Sequence, residues 1–276
     1  MAANPPINRV PFGTPAQSDM DFVGGTDMVI FAVEPELFRV FPDACFGVVV
    51  AEGIDNRVPP GDTVAGLSAA ISAAQARLSS VPEVREHPHV AVWRQAFTTI
   101  GWNPNRFPSS IEALLSRLAK GHTLPSVNRV VDVANTVSLR HVVPVGAHDL
   151  NSFNPLLVAP ATGIEIRRSV EGDTFIPFGS AEFEEVPAGE FVYVSGHEIR
   201  TRRWVWRQSE KGKITESTTA VFFPIDGFAG TTGHAVRDAQ EDLARLCSEL
   251  LGARSVRRFW VDAGSPEAVL VGHPYA

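Results

Sequence analysis

The chain of 276 residues has only two cysteines, Cys45 and Cys247, and each lies in an apolar context. Neither has a second cysteine or a histidine at metal-ligand spacing, so we expect two small buried hydrophobic side chains rather than a disulfide framework or structural zinc. No apolar run reaches the roughly 18 residues that a membrane helix needs. The N-terminus also lacks an apolar stretch of signal-peptide length. These absences predict a cytoplasmic protein that makes no membrane contact.

Positive charge is also scarce, because 24 Lys and Arg residues face 31 Asp and Glu residues, for a net charge of −7. A generally basic nucleic-acid-binding surface is therefore excluded, and any such contact must be local. The motifs GxSxG, HExxH, Walker A and GxGxxG are absent. His87-Pro-His89 has no third ligand nearby and is interpreted as a pair of solvent-facing loop histidines. We expect no metal and no cofactor.

Hydrophobic periodicity and turn residues predict the elements. Glycine and proline are abundant, at 22 and 21 residues, and indicate many turns and short elements. A short apolar segment at 28–33 and a buried strand at 45–50 come first. Apolar residues spaced three and four apart then predict helices over 64–78, 90–100 and 109–121, with Ser109 and Glu112 at capping-box spacing. Residues 127–139 fit either a helix or a strand.

The second half of the chain is predicted to be rich in strands. Strands are expected at 164–170, 174–178, 190–194, 198–208 and 218–223, followed by a helix over 236–250 and a strand at 256–261. This order favours an α+β fold with a substantial antiparallel or mixed sheet.

Polar residues interrupt three segments that would otherwise be apolar. In the first, Asn128, Asp132, Asn135 and Ser138 recur at spacings of four, three and three, so they would share one side of a helix. Each unpaired buried polar group costs about 1–3 kcal/mol, so these side chains need partners. They form either a satisfied internal network or the polar wall of a pocket.

The second segment is Pro144–Asp149. His148 is the best candidate among the eight histidines for proton transfer or for orienting a ligand, and Asp149 is adjacent to it. The alternative is a loop histidine that is bonded to a neighbouring carbonyl.

The third segment is Arg200–Gln208. As one strand it would place Trp204, Trp206 and Gln208 on one face, and Arg203, Val205 and Arg207 on the other. Six cations fall within fourteen residues: Arg200, Arg202, Arg203, Arg207, Lys211 and Lys213. Arginine can hold phosphate or carboxylate, and tryptophan can stack on a base. The alternative is a core strand with tryptophan inside and arginine in water.

Taken together, these segments resemble a known family. LPSVNRVVDVANTVSL, PVGAHDL and GEFVYV…RRWVWRQS…TTAVFF are similar to the B3/B4 domain of the bacterial phenylalanyl-tRNA synthetase β-subunit. The free-standing B3/B4-domain proteins of bacteria are closer still, through Trp93–Phe97, Gly101–Pro104, Ser110–Arg117 and Arg202–Gln208. The resemblance covers about residues 30–225.

The resemblance implies a three-layer α/β/β domain with mixed sheets and a site between the layers. In the synthetase that site hydrolyses tyrosine wrongly esterified to the phenylalanine tRNA. The chain departs from the synthetase at Gly146, where our alignment places an editing-site histidine, and at the bulky residues 203–208. We expect residues 1–27 to form an irregular arm and residues 28–276 one composite domain, flanked by a helix and a strand in 226–276.

The leading hypothesis is a deacylase that acts in trans on a mischarged aminoacyl-tRNA, bound weakly through residues 200–213. Its expected catalytic residues are His148, Asp149 and Asn135. The expected substrate-binding residues are Asn128, Ser138, Arg203, Trp204, Trp206, Arg207 and Gln208. The alternatives are an RNA-binding module without catalysis and a protein that acts on a free amino acid or its derivative. The chain lacks the catalytic core of a synthetase.

Overall fold

Ten strands and six α-helices make up the regular structure of the described residues. The computed structural model describes residues 29–79, 83–153 and 162–271, so the expected arm at 1–27 lies outside the described residues. The strands are β1 Val29–Val33, β2 Ala44–Glu52, β3 His148–Asp149, β4 Thr162–Arg168, β5 Phe191–Ser195, β6 Glu198–Arg202, β7 Arg207–Gln208, β8 Ala220–Phe228, β9 Ser255–Asp262 and β10 Glu267–Val271. The helices are α1 Pro35–Val40, α2 Gly61–Leu78, α3 Pro88–Thr99, α4 Ser110–Ala119, α5 Arg129–His141 and α6 Gly233–Glu249.

The strands form two sheets. The six-stranded sheet has the order β10-β1-β4-β5-β6-β7 and is mixed, because β1 and β4 run parallel while its other pairs are antiparallel. The four-stranded sheet has the order β3-β8-β2-β9 and is antiparallel throughout. Strand β2 lies inside the second sheet and is buried over almost its whole length, as its continuous apolar run predicts.

The four-stranded sheet is the middle of three layers. One of its faces packs against α5 and α6, where Val49 of β2 meets Val133 of α5 and Leu243 of α6 in one apolar cluster. Its other face packs against the six-stranded sheet, where Phe31 of β1 contacts Phe222 of β8 at a ring-centroid distance of 5.2 Å. This arrangement confirms the predicted α+β fold with α/β/β layers.

Local sequence signals account for where two of the helices begin. The Asn128 side chain accepts a hydrogen bond from the Val131 N–H at 3.0 Å and caps α5, so the segment that fitted a helix or a strand is helical from Arg129. Ser109 caps α4 by accepting the Glu112 N–H at 3.4 Å. The Glu112 carboxylate does not return to the cap but binds Arg94 at 2.6 Å. Only half of the predicted capping box is therefore formed.

Three strand predictions need correction. The predicted strand 198–208 is a hairpin, in which β6 and β7 pair and residues 203–206 form the turn. The predicted strand 174–178 makes only isolated bridges, since Pro177 cannot donate to a ladder. The predicted end of β8 at 223 is too early, because the strand continues through Pro224 to Phe228 opposite β2.

The C-terminal elements contribute to all three layers. Strand β9 pairs with β2, β10 pairs with β1, and α6 covers the four-stranded sheet. Cys45 and Cys247 are free and buried, and burial raises the pKa of each thiol to about 12. Among the described residues, no helix has both the length and the apolar character needed to span a bilayer.

Candidate functional site

A cavity of about 130 Å³ lies between the two sheets, beside the first residue of α4. We call it the inter-sheet cavity. Its lining comes from the loop that leads into β3 and from β5, β6, β7 and β8, together with the 203–206 turn. The cavity therefore lies between the six-stranded and the four-stranded sheet.

The floor of the cavity is β8 with the segment 144–148 alongside it. The Asp226 N–H donates to the Pro144 carbonyl at 3.1 Å, and the Gly146 N–H donates to the Pro224 carbonyl at 2.9 Å. His148 lies opposite Phe222. Because side chains alternate along a strand, the side chains of residues 222, 224 and 226 share the face that borders the cavity.

Gly146 provides space beside His148. A Cβ atom at residue 146 would lie 2.9 Å from the Pro224 Cγ and 3.4 Å from the His148 Nε2. The first distance is shorter than real side chains tolerate, so any larger residue here would push against the floor. The histidine two residues later, His148, borders the cavity.

Asp226 is the ionisable carboxyl of the cavity. The Tyr193 hydroxyl donates to its Oδ1 at 2.6 Å, and the Trp204 Nε1–H donates to the same oxygen at 2.9 Å. The residue is only 2% exposed, and burial raises its pKa to about 7 against the opposing effect of these two donors. The carboxyl can therefore take up and release a proton near neutral pH.

His148 is buried and neutral. Its ring stacks on the Tyr193 ring at a centroid distance of 6.0 Å, and its Nδ1 has no hydrogen-bond partner among the described residues. Burial, with a smaller contribution from the Arg200 charge, lowers its pKa to about 3. It lies four residues from Asp226 along the β8 register, a rise of about 13 Å. Tyr193 links the two ends, since its ring contacts His148 and its hydroxyl binds Asp226.

The 203–206 turn forms the rim of the cavity and has an unusual backbone. Arg203 and Trp204 have φ angles of 48° and 63°, in the left-handed region that non-glycine residues seldom adopt. Such residues cost of order 1–3 kcal/mol each and persist where surrounding contacts hold them. Here the Trp204 N–H donates to the Phe191 carbonyl at 2.7 Å, and the Ser110 N–H donates to the Val205 carbonyl at 2.8 Å. The turn thereby positions the Trp204 indole within hydrogen-bond distance of Asp226.

Comparison with known families identifies this architecture. The family model described as the B3/4 domain matches residues 92–249, more than half of the chain. The chain belongs to the B3/4 domain family. It is also similar to the solved N-terminal fragment of the phenylalanyl-tRNA synthetase beta-subunit from Pyrococcus horikoshii, at 12% identity and a TM-score of 0.40. That similarity covers 83% of this chain and 50% of the fragment, and no curated protein matches the chain.

The structure brings four of the predicted site residues to the cavity of this B3/4 domain: His148, Trp204, Trp206 and Gln208. The Gln208 Nε2 donates to the Ala147 carbonyl at 2.9 Å, which leaves its Oε1 without a partner among the described residues. Trp206 is half-buried and packs edge-on against Phe107 at 4.9 Å.

Four other predicted residues of this B3/4 domain lie apart from the cavity lining. Asn128 caps α5, and the Ser138 hydroxyl donates to the Val143 carbonyl at 2.7 Å. Asp149 accepts from the Thr218 hydroxyl at 2.7 Å and from the Asn151 N–H, because its side chain points to the opposite face of β3 from that of His148. Asn135 is on α5, behind the four-stranded sheet. The polar side of α5 fits the alternative of an internal network, since Asp132 accepts from Thr63 and Ser126.

The basic segment 200–213 is not a free positive surface. Every one of its six cations has a glutamate partner: Arg200 and Lys211 pair with Glu198, Arg202 with Glu184 and Glu190, Arg203 with Glu190, Arg207 with Glu184, and Lys213 with Glu210. Arg203 and Arg207, which the sequence predicted to contact substrate, do not line the cavity. The sequence showed only the clustered cations, whereas their partners come partly from 184–190 across the sheet.

Sequence reasoning missed Asp226 and Tyr193. Asp226 is the one charged residue in the apolar run Ala220–Phe228, and that run was interpreted as a strand that ends before Pro224. A carboxyl within a fully buried strand was the available signal. Among the described residues, no group of His, Cys, Asp and Glu side chains could hold a metal ion.

Proposed function

We propose that this B3/4 domain hydrolyses the ester bond of a mischarged aminoacyl-tRNA that is supplied in trans. The observation that carries the proposal is Asp226, a buried carboxyl with a pKa of about 7 on the wall of a cavity between two sheets. An aminoacyl ester is already reactive, so a positioned water and a general base suffice without a nucleophilic side chain. Asp226 thus takes the role of general base, which the sequence left unassigned although His148, Asp149 and Asn135 were the expected catalytic residues.

The proposed reaction uses the second carboxylate oxygen of Asp226. Oδ1 accepts from Tyr193 and Trp204, and Oδ2 has no partner among the described residues. The ionised Oδ2 takes a proton as a water oxygen bonds to the ester carbonyl carbon. When the bond to the ribose oxygen breaks, the proton passes from Asp226 to that oxygen. The products are the free amino acid and the tRNA with its hydroxyl restored.

The lining offers groups that can stabilise the tetrahedral intermediate. The hydroxyls of Ser110 and Thr201 line the cavity and have no hydrogen-bond partner among the described residues. Either can donate to the oxyanion as it forms. The neutral His148 ring lines the same cavity.

A deacylation assay tests the proposal. Purified protein is incubated with a panel of aminoacyl-tRNAs, and the loss of ester is followed against a control without protein. We expect hydrolysis of at least one ester and a loss of 10²–10⁴-fold in Asp226→Asn, the usual contribution of a general base. Spontaneous rates across a complete panel would overturn the proposal.

A second candidate is a protein that acts on a free amino acid or its derivative in the same cavity. The observation that favours it is the pairing of all six cations in 200–213, which leaves little charge there for tRNA phosphates. A thermal-shift screen with free amino acids separates the two functions. Stabilisation by several degrees without any RNA affinity would favour the second candidate.

A further inference from the structure

We infer that the inter-sheet cavity accepts a small amino acid, of the size of glycine, alanine or serine, and rejects aromatic and large aliphatic ones. The inference rests on the proposed function, because it names the class of aminoacyl group whose ester is hydrolysed. It assigns the role of size filter to the tryptophans of the 203–206 turn.

The volume of the cavity limits the size of the amino acid that it can hold. A cavity of about 150 Å³ is filled by a single benzene molecule. The inter-sheet cavity has about 130 Å³ for the whole aminoacyl group, including its amino group, α-carbon and carbonyl. The ring of an aromatic amino acid together with these groups exceeds this space, whereas a side chain of no more than one carbon and one oxygen does not.

The boundary that limits the volume is fixed in place. Trp204 is fully buried, and two hydrogen bonds hold the residue in place. Its backbone N–H donates to the Phe191 carbonyl, and its indole N–H donates to Asp226. Trp206 packs edge-on against Phe107. Opposite the tryptophans, the floor is the Gly146–Pro224 pair, which has no room for another carbon. A larger ligand would have to move packed side chains, and interiors resist such movement.

One free polar atom of the cavity complements an ammonium group. The Gln208 Oε1 lacks a partner among the described residues and is an acceptor, while the Asp226 Oδ2 is left for the attacking water. The α-ammonium of an aminoacyl ester supplies three donors. All amino acids share this ammonium group, so its recognition does not distinguish between them. The tryptophans would distinguish them by limiting the size of the side chain.

A competition between small and large esters tests the inference. Wild-type protein is assayed on tRNAs that carry glycine, alanine or serine and on tRNAs that carry leucine, phenylalanine or tyrosine. We expect the small esters to be hydrolysed at least tenfold faster. In Trp206→Ala the ratio should shift towards the large esters by at least tenfold, within the range that one or two carbons control in a pocket. Trp260→Ala, which removes another half-buried indole from outside the cavity, should leave the ratio unchanged.

Binding of amino acid amides separates failure of the inference from failure of the proposed function. Thermal shifts are measured with glycinamide, alaninamide and serinamide and with phenylalaninamide and tyrosinamide. Stabilisation by the small amides alone, without hydrolysis of any ester, supports the size filter and overturns the deacylase. Equal or faster hydrolysis of aromatic esters overturns the size filter and leaves the deacylase standing. No hydrolysis and no stabilisation overturn both.

Discussion

At the residue scale, the surrounding structure raises the pKa of one carboxyl, Asp226, to about 7. Asp226 loses its hydration on burial, and two donors to one oxygen compensate only in part. Structural carboxylates usually have lowered pKa values, because they are paired with cations. A carboxyl with a raised pKa that lines a cavity is instead the pattern of a group that transfers protons.

The raised pKa of Asp226 predicts how stability depends on pH. The folded state binds the proton more tightly than the unfolded state, whose aspartate pKa is near 3.8. The contribution is therefore fully present below about pH 4 and is lost as the pH rises through about 7. Raising the pKa from 3.8 to about 7 corresponds to a contribution to the free energy of unfolding on the order of 4 kcal/mol.

In the variant Asp226→Asn the side chain cannot ionise, so the variant does not lose stability as the pH rises through 7. The free energy of unfolding of the variant, measured in urea, should gain on the wild type as the pH rises from 4.5 to 8. Asparagine keeps an acceptor for Tyr193 and Trp204, which makes it a matched replacement. Curves that remain parallel across this range would show that Asp226 has an ordinary pKa.

The two donors to Asp226 give a second prediction. Tyr193→Phe and Trp204→Phe each remove one hydrogen bond from the charged form, so each should raise the pKa of Asp226 above about 7. The change can be followed by carbon NMR of the carboxyl group across a pH titration. An unchanged or lowered pKa in both variants would contradict the assigned bonds.

At the element scale, the sequence predicted most helices and misjudged one hairpin. The amphipathic spacing of α2, α3, α4 and α6 marks each helix to within a few residues, because each has one buried face. The segment 203–206 contains no glycine, proline or asparagine, so nothing local indicated a turn. Tertiary hydrogen bonds to β5, α4 and Asp226 impose that turn, and a single sequence does not display them.

Helix α5 illustrates a related ambiguity. The sequence allowed a helix or a strand here, and within a helix the spacing of the polar residues suited either an internal network or a pocket wall. The structure decides between them, because Asn128 caps the helix and Asp132 accepts from the Val127 N–H and the Ser126 hydroxyl. The sequence thus left open both the element and the role of its polar side.

The roles of two asparagines on this segment can be separated by stability. Asn128→Ala removes the cap of α5 and should lower the free energy of unfolding by about 1 kcal/mol, the usual cost of losing an N-cap. Asn135→Ala removes a side chain without a hydrogen-bond partner among the described residues. It should change the free energy of unfolding by less than 0.5 kcal/mol, as is usual for such sites. Denaturant unfolding measures both. A larger cost for Asn135 would point to a role that the fold does not show.

At the scale of the whole molecule, ion pairs between the cations of residues 200–213 and nearby glutamates reduce the positive charge that could attract RNA. The net charge of −7 and the local cations suggested one positive segment in an acidic protein. The fold places four glutamates among those cations, so the field of the segment is largely cancelled. Autonomous RNA binding should therefore be weak, and substrate recognition should depend on the cavity.

Removing the glutamate partner of Arg207 should strengthen RNA binding. Glu184 pairs with Arg207, which is exposed, and Arg202 keeps Glu190 as a second partner. Glu184→Gln should raise tRNA affinity and its dependence on salt, by about one phosphate contact. Glu182→Gln is the matched control, because it changes the net charge equally at an exposed glutamate without an ion pair among the described residues. Equal effects of the two variants would show that only net charge matters.

The pH dependence of deacylation shows whether Asp226 is the general base. The rate constant kcat/KM for the preferred ester is measured from pH 5 to 9, with the spontaneous rate subtracted, for wild type and Asp226→Asn. We predict that the wild-type rate rises with pH, levels off above a midpoint near 7 as Asp226 ionises, and falls by 10²–10⁴-fold in the variant with loss of the midpoint. A variant that retains the wild-type rate and the same midpoint would contradict the assignment of Asp226 as the general base.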